Sequence, residues 1–118
     1  MGIFRTTVEI GDPTGSRWTP LQVLVDTGAS HTVMPAAILE QLGVRPHATA
    51  TFRLADGRRV ERDIGRTWIR VDGHEEITQV VFEAERTDGL LGVITLEEMR
   101  LGVDPISRRF VPIEGLMM

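Results

Sequence analysis

One short segment, Leu24–Ser30, carries the residues best suited to chemistry. Its motif Asp26-Thr27-Gly28 follows directly on Leu21–Val25, an almost wholly apolar run that predicts a strand entering a core. A carboxylate at the end of a buried strand is costly unless hydrogen bonds or a coupled charge hold it. Gly28 allows the backbone to turn beneath that carboxylate and offer it an N–H, and Thr27 adds a short hydroxyl with few rotamers.

A carboxylate held in this way could serve as one member of an acid–base pair. Peptide-bond hydrolysis at neutral pH needs a base that activates water and an acid that protonates the leaving nitrogen, and two close carboxylates sharing one proton supply both. The sequence holds only one Asp-Thr-Gly, and the Asp-Gly pairs that begin at Asp56, Asp72 and Asp88 are turn signals without a preceding apolar run. We therefore expect a two-fold homodimer, in which Asp26 meets its symmetry mate. The alternative is that Asp26 only opens an ordinary turn, because Asp, Thr, Gly and Ser all favour turns.

Two later features favour the catalytic interpretation. Val33-Met34 follows the segment, and a second apolar-apolar-glycine element, Leu90-Leu91-Gly92, lies downstream. Leu24–Ser30 and Leu90–Gly92 together resemble the active-site loop and the second hydrophobic-glycine motif of the retroviral-like (retropepsin-type) aspartic proteases. The order of elements from Val8 to Val111 is similar to that family too. The resemblance implies an all-β fold, a small closed and mostly antiparallel barrel (one lobe of the acid-protease fold) with one or two short helices.

The local patterns fit that fold. β-rich segments bounded by turn signals predict strands at 6–10, 17–25, 49–54, 59–64, 67–71, 77–82 and 107–113. Residues 35–43 predict a helix with Pro at its first position and Gly beyond its end. A second helix is predicted over 96–101, opened by a capping box of Thr95 and Glu98 and ended by Gly102. The length of 118 residues favours one domain, 1–118.

The resemblance also implies roles for particular residues. The catalytic set is Asp26, Thr27 and Gly28, with the Thr27 hydroxyl bonding across the dimer and the Gly28 N–H supporting the carboxylate. The substrate-binding set begins with Ala29, which would line the cleft, and its other members are His31, Asp56, Gly57, Arg58, Leu91 and Gly92. Leu91 and Gly92 would pack beneath the catalytic loop, where glycine permits close approach.

The segment Asp56-Gly57-Arg58 lies at the tip of a predicted hairpin, because Asp-Gly between two extended arms is a hairpin signal. In the resembled family a hairpin at this position is the flap that folds over a bound peptide. This hairpin has less glycine than retroviral flaps and lacks the Tyr of two-lobed members, so a plain surface hairpin remains an alternative. For His31, the alternative to a substrate contact that titrates near pH ~6.5 is a solvated loop residue.

Composition limits the classes of function. A net charge of −4 argues against a general nucleic-acid binder, and the absence of cysteine excludes disulfides and thiolate metal sites. No apolar run has the length of a membrane span and the N-terminus has no signal-peptide core, so we expect a cytoplasmic protein with no membrane partner. No His/Asp/Glu spacing suggests a metal site, and we expect no cofactor.

The sequence therefore predicts a homodimeric aspartic endopeptidase acting on peptides or proteins. One alternative is a non-catalytic module that uses the same fold to dimerise or to clamp an extended peptide by strand addition. Another is a weakly associating monomer that is inactive until it is concentrated or joined to a partner. The C-terminal segments 108–113 and 116–118 are expected either to join a sheet shared between two chains or to form a disordered tail.

Overall fold

A computed structural model describes residues 3–115 and Met117 of the chain. Nine strands lie in it: β1 (Ile3–Gly11), β2 (Trp18–Asp26), β3 (Val33–Pro35), β4 (Ala48–Arg53), β5 (Arg59–Val71), β6 (His74–Glu83), β7 (Gly89–Leu91), β8 (Leu101–Asp104) and β9 (Arg109–Pro112). Two short helices complete the described part: α1 (Ala36–Gln41) and α2 (Val93–Glu98). Neither helix of the described residues is long and apolar enough to cross a membrane.

Six of the strands close into a barrel in the order β1-β2-β7-β3-β6-β5. The closing contact is the antiparallel pairing of Glu9 with Arg70 and of Ile10 with Ile69, which joins β5 back to β1. The predicted small closed barrel is thus confirmed. Two of its pairings, β2 with β7 and β3 with β6, are parallel, which the local sequence patterns did not indicate.

β5 is longer than predicted, because the segments 59–64 and 67–71 form one continuous strand. Its first half pairs with β4, which lies outside the barrel, and its second half pairs with β6 inside it. Gly65 lies between the halves, where an added Cβ would come within 3.0 Å of the Arg45 carbonyl oxygen. The glycine therefore allows the chain to run without a break from the barrel into the projecting β4–β5 hairpin.

The capping box predicted for the second helix is wrong. Helix α2 begins at Val93 rather than at Leu96, its N-cap is Gly92, and no side chain caps it. Thr95 lies within the helix and is almost fully buried, so its hydroxyl faces the interior instead of the helix end. The helix ends before Arg100, whose φ of 56° is left-handed, and Leu101 begins strand β8.

The core fills the barrel and the space beneath the two helices. It is built by apolar residues from almost every element, including Ile10, Val23, Val25, Met34, Leu39, Ile69, Val80, Leu91, Leu96 and Met99. Val80, Val81 and Phe82 are all buried, as expected for a strand covered on both faces. The last predicted strand corresponds to β9, which pairs only with β8 among the described strands. Of the C-terminal segment, Leu116 and Met118 lie outside the described residues.

Candidate active site

Asp26 is the last residue of β2, a strand that lies between β1 and β7. The Gly28 N–H donates to Asp26 Oδ1 at 2.8 Å, and the Ala29 N–H donates to the Asp26 carbonyl oxygen at 3.1 Å. The loop 26–30, here called the Asp26 loop, therefore turns back beneath its own carboxylate, as the glycine predicted. Thr27 lies at this turn and is half-buried.

The start of α2 holds the Asp26 loop from below. The Val93 N–H donates to the Ala29 carbonyl oxygen at 2.9 Å, and the Ile94 N–H donates to the Ser30 carbonyl oxygen at 3.0 Å. At Gly92 a Cβ would lie 2.5 Å from the His31 carbonyl oxygen, so only glycine fits there. Leu91 is fully buried opposite Val25 and faces the core rather than the cleft.

Three buried threonines continue this support, and sequence reasoning missed two of them. Thr32, Thr78 and Thr95, here called the threonine cluster, are each no more than 1% exposed. Thr32 Oγ1 accepts the Gly92 N–H at 3.1 Å and lies 2.6 Å from Thr95 Oγ1, which is 2.9 Å from Thr78 Oγ1. The Thr78 hydroxyl donates to Glu98 Oε1 at 2.6 Å. No local signal reveals this cluster, because its members come from three separate elements.

A cleft of about 510 Å³ opens above the Asp26 loop, under the hairpin formed by β4 and the first half of β5 (here the cover hairpin). Its wall is mainly apolar on both sides, with Val33, Val81 and Leu90 from the barrel and Phe52, Leu54, Ala55 and Val60 from the hairpin. Of the predicted site residues, Asp26, Gly28, Ala29 and His31 line this cleft. The His31 ring lies edge-on to Phe52 with 5.0 Å between ring centroids, so a side chain beside the Asp26 loop touches the cover hairpin.

The predicted tip residues lie elsewhere. Asp56, Gly57 and Arg58 are exposed and do not line the cleft. Asp56 instead accepts the Arg58 N–H at 3.0 Å and the Arg58 guanidinium at 2.7 Å, and these bonds hold the pKa of the Asp56 carboxyl below its usual value. The β4 alternation, in which Phe52 is half-buried between exposed neighbours, is the sequence signal that points to the lining residues.

Two of the charged residues in the cleft wall form an ion pair with each other. Arg62 Nε lies 2.7 Å from Glu83 Oε2, and both residues line the cleft. Below the cleft, Asp88 accepts bonds from Arg5 at 2.8 Å and from Arg86 at 3.1 Å. The Arg5 bond is the main cause of a lowered pKa for Asp88, which burial partly opposes and Arg86 reinforces.

Two exposed apolar residues lie beside the two ends of the Asp26 loop. Ile3 pairs with Asp26 across β1 and β2 and is 46% exposed, and Ile94 beside Ser30 is 39% exposed. The chain brings one carboxylate of the Asp-Thr-Gly type to the cleft. The single-chain site therefore has a positioned acidic group, a mainly apolar cleft, and exposed apolar residues beside the loop.

Comparison with known proteins gives one family match and several structural neighbours. Residues 6–94 match the sequence profile of the family described as aspartyl protease. Among solved structures, the EIAV protease complexed with the inhibitor HBY-793 is 28% identical with a TM-score of 0.64, over 81% of this chain and 86% of that one. None of the curated proteins matches the chain.

Two further structures share the fold. The Simian Foamy Virus (mac) protease is 24% identical with a TM-score of 0.59, over 80% of this chain and 92% of that one. The retroviral protease-like domain of Ddi1 from Leishmania major is 17% identical with a TM-score of 0.60, over 95% of this chain and 89% of that one. At these identities the similarity is one of fold.

Proposed function

The chain belongs to the aspartyl protease family, and from this premise we propose that two copies form a homodimeric aspartic endopeptidase. One active site would lie on the two-fold axis, where each copy contributes Asp26. The observation that carries the proposal is the placement of Asp26 at the edge of an apolar cleft, with its Oδ1 held by the Gly28 N–H. A fixed carboxylate at the floor of a peptide-sized cleft is what a shared acid–base pair requires.

The proposed chemistry uses water and the two carboxylates. The ionised Asp26 removes a proton from a water molecule, whose oxygen attacks the peptide carbonyl carbon, while the protonated Asp26 of the second copy gives its proton to the carbonyl oxygen. The tetrahedral intermediate then collapses as the C–N bond breaks: the nitrogen takes the proton that the first Asp26 removed from water, and Asp26 of the second copy takes a proton back from a hydroxyl of the intermediate. No bond forms between enzyme and substrate at any step.

The border of the site supports dimerisation. Ile3 and Ile94 expose apolar surface on both sides of the Asp26 loop, and a second copy related by a two-fold axis through the loop would cover them. In this arrangement the Thr27 hydroxyl would bond to the opposite loop and lock the two carboxylates in place.

The cleft also indicates the class of substrate. Its walls are strands and its lining is largely apolar, with Phe52 and Val60 facing Val33 and Leu90. Such a cleft fits an extended peptide with apolar side chains near the cleaved bond. We therefore propose unstructured peptide or protein segments as substrates.

The proposal is tested with Asp26→Asn, which keeps the shape of the side chain and removes its charge. We expect cleavage of an unstructured apolar peptide to fall by about 10²–10⁴-fold or more, since general acid–base catalysis contributes on that scale. A sharper test is to mix the Asp26→Asn variant with the wild-type protein. If subunits exchange at random, a ninefold excess of the Asn variant should lower wild-type activity about tenfold, because most wild-type chains then sit in one-carboxylate dimers.

The matched control is Asp63→Asn, since Asp63 is an exposed β5 carboxylate outside the cleft. In excess it should leave wild-type activity unchanged. If the Asp26→Asn variant cleaves the peptide at the wild-type rate, the proposed chemistry is contradicted. Activity that is lost in Asp26→Asn but not lowered by mixing would contradict the shared site. A wild-type chain that binds peptides without cleaving them would favour the non-catalytic clamp.

A further inference from the structure

The threonine cluster beneath the Asp26 loop takes no part in the proposed chemistry, yet it is the most deeply buried set of polar side chains near the site. Thr32, Thr78 and Thr95 come from the segment before β3, from β6 and from α2. Among the described residues no buried side-chain N or O lacks a hydrogen-bond partner. The cluster is therefore fully satisfied, which makes removal of any one hydroxyl consequential.

The direction of the hydrogen bonds follows from counting hydrogens. Each hydroxyl has one hydrogen to donate. The Thr78 hydroxyl donates to Glu98 Oε1, so in its contact with Thr95 it must accept, and Thr95 donates. The Thr95 hydrogen is then committed, so in the remaining contact Thr32 donates to Thr95 and its oxygen is free to accept the Gly92 N–H.

The result is one directed series of bonds from the floor of the site to the protein surface. It starts at the Gly92 N–H, passes through Thr32, Thr95 and Thr78, and ends on the Glu98 carboxylate. Glu98 is 37% exposed and lies 3.8 Å from the Arg66 guanidinium. The ends differ in what they touch, because Gly92 packs against the His31 carbonyl oxygen whereas Glu98 reaches solvent.

We propose that the threonine cluster and Glu98 are positioning residues that set the location of Asp26 by fixing α2 against the Asp26 loop. This inference rests on the proposed function of Asp26. The first residues of α2 donate two backbone bonds to the loop, and the cluster ties the same helix to β6 and to Thr32. Glu98 acts as the terminal acceptor that gives every hydroxyl in the series a partner.

Thr95 is the residue to test, because it stands in the middle of the series. Thr95→Val keeps the shape and removes the hydroxyl, which leaves the Thr32 hydrogen without its acceptor and Thr78 without its donor. Thr95→Ser keeps the hydroxyl. We expect the Val variant to lower kcat at least about tenfold with KM changed less than about threefold, since small misplacements of catalytic groups are costly. The Ser variant should restore most of kcat.

The matched control is Thr67→Val. Thr67 is fully buried and pairs with Thr78 across β5 and β6, but its hydroxyl donates to the Gly11 carbonyl oxygen outside the cluster. Its removal should lower stability to a similar degree and leave kcat unchanged. All variants are assayed as dimers, well below their unfolding midpoints.

The end of the hydrogen-bond series at the protein surface is tested by two substitutions at Glu98. Glu98→Gln keeps an acceptor oxygen for Thr78 and should retain kcat within about twofold, because an exposed ion pair with Arg66 contributes little. Glu98→Met removes the acceptor and should lower kcat about as much as Thr95→Val. This contrast separates the role of the acceptor from that of the charge.

A second readout does not depend on activity. Hydrogen exchange of the Gly92, Val93 and Ile94 amides should accelerate at least about tenfold in Thr95→Val and stay unchanged in Thr67→Val. If the wild-type chain cleaves no peptide, the proposed function fails and exchange alone decides whether the cluster holds the loop. Equal kcat or equal exchange rates in the two Val variants would overturn the positioning role, as would a Ser variant no better than Val.

Discussion

The floor and the cover of the cleft are held by different kinds of interaction. The Asp26 loop is bonded to itself through Gly28 and to α2 through Ala29 and Ser30, and α2 is in turn tied to the threonine cluster through Thr95. The cover hairpin is held beyond the barrel by the β4–β5 pairing, and its tip bonds within itself, from Arg58 to Asp56. β4 has no neighbour on its outer edge among the described strands.

This difference indicates that one part of the fold fixes the position of Asp26 and another part controls entry of a peptide into the cleft. A group that does chemistry needs a fixed position, which long-range buried contacts supply. A cover that admits an extended peptide must move, and a hairpin with exposed backbone bonds and few buried contacts opens at low cost. We therefore expect changes in the floor to alter folding and kcat, and changes in the cover to alter KM.

The largest effect is expected from Gly92→Ala, compared with Gly57→Ala. An alanine at 92 places its Cβ 2.5 Å from a backbone oxygen, whereas the tip glycine has φ +88° and no heavy atom within 4 Å. We expect the free energy of unfolding to fall by at least about 3 kcal/mol in the floor variant and by about 1 kcal/mol in the tip variant. Urea unfolding measures both. Similar losses of unfolding free energy in the two variants would contradict the proposed difference between the floor and the cover of the cleft.

A smaller effect is expected from Phe52→Ala, which removes the contact between the cover hairpin and His31. Since an aromatic pair contributes about 0.5–1.5 kcal/mol, KM should rise about 2- to 10-fold while kcat changes little. The control is Phe110→Ala, which disrupts the pair of Phe110 with Phe4 away from the cleft and should leave KM unchanged. Steady-state kinetics on one peptide checks both variants, and a fall confined to kcat would contradict the prediction.

The smallest expected effect concerns how the free energy of unfolding changes with pH in two variants, Asp88→Asn and Asp56→Asn. Hydrogen bonds from Arg5 to Asp88 and from Arg58 to Asp56 lower the pKa of both carboxyls in the folded chain. The ionised forms therefore stabilise the fold above about pH 4, and this stabilisation is lost as pH falls through the folded-state pKa. We expect Asp88→Asn to flatten the acid-side loss of unfolding free energy between pH 4 and 2 more than Asp56→Asn. The reason is that Asp88 joins Arg5 of β1 to the turn before β7, whereas Asp56 bonds within one turn.

Titrations of urea-unfolding free energy on the wild type and both variants provide the measurement. An Asp56 variant with the larger change would show that the tip contributes more to the fold than its exposure indicates. Equal slopes in all three proteins would show that neither carboxyl is linked to folding.

Local patterns were enough for much of the fold. The turn at Gly28 and the helix predicted over 35–43 depend on residues close together in sequence, and the structure has the turn and a helix over 36–41. The tip of the cover hairpin also came from a local signal, Asp-Gly. That the tip covers a bound substrate stays a prediction, and in the structure Phe52 lines the cleft while the tip residues are exposed.

The errors share a cause. Thr95 and Glu98 have the spacing of a capping box, and nothing nearby in sequence distinguishes that role from a buried one. Thr95 is buried because its hydroxyl bonds to Thr32 and Thr78, which lie 63 and 17 residues from it along the chain. The parallel pairing of β2 with β7 escaped prediction for the same reason.

The sequence by itself determined that one acidic side chain would end an apolar strand above a glycine turn, because those preferences act over a few residues. Only the tertiary structure decided what lies under that turn and which side chains face it. A threonine hydroxyl can cap a helix or bond within a core, and which of these it does depends on the partners that barrel closure brings near it. Barrel closure in turn depends on contacts between distant parts of the chain.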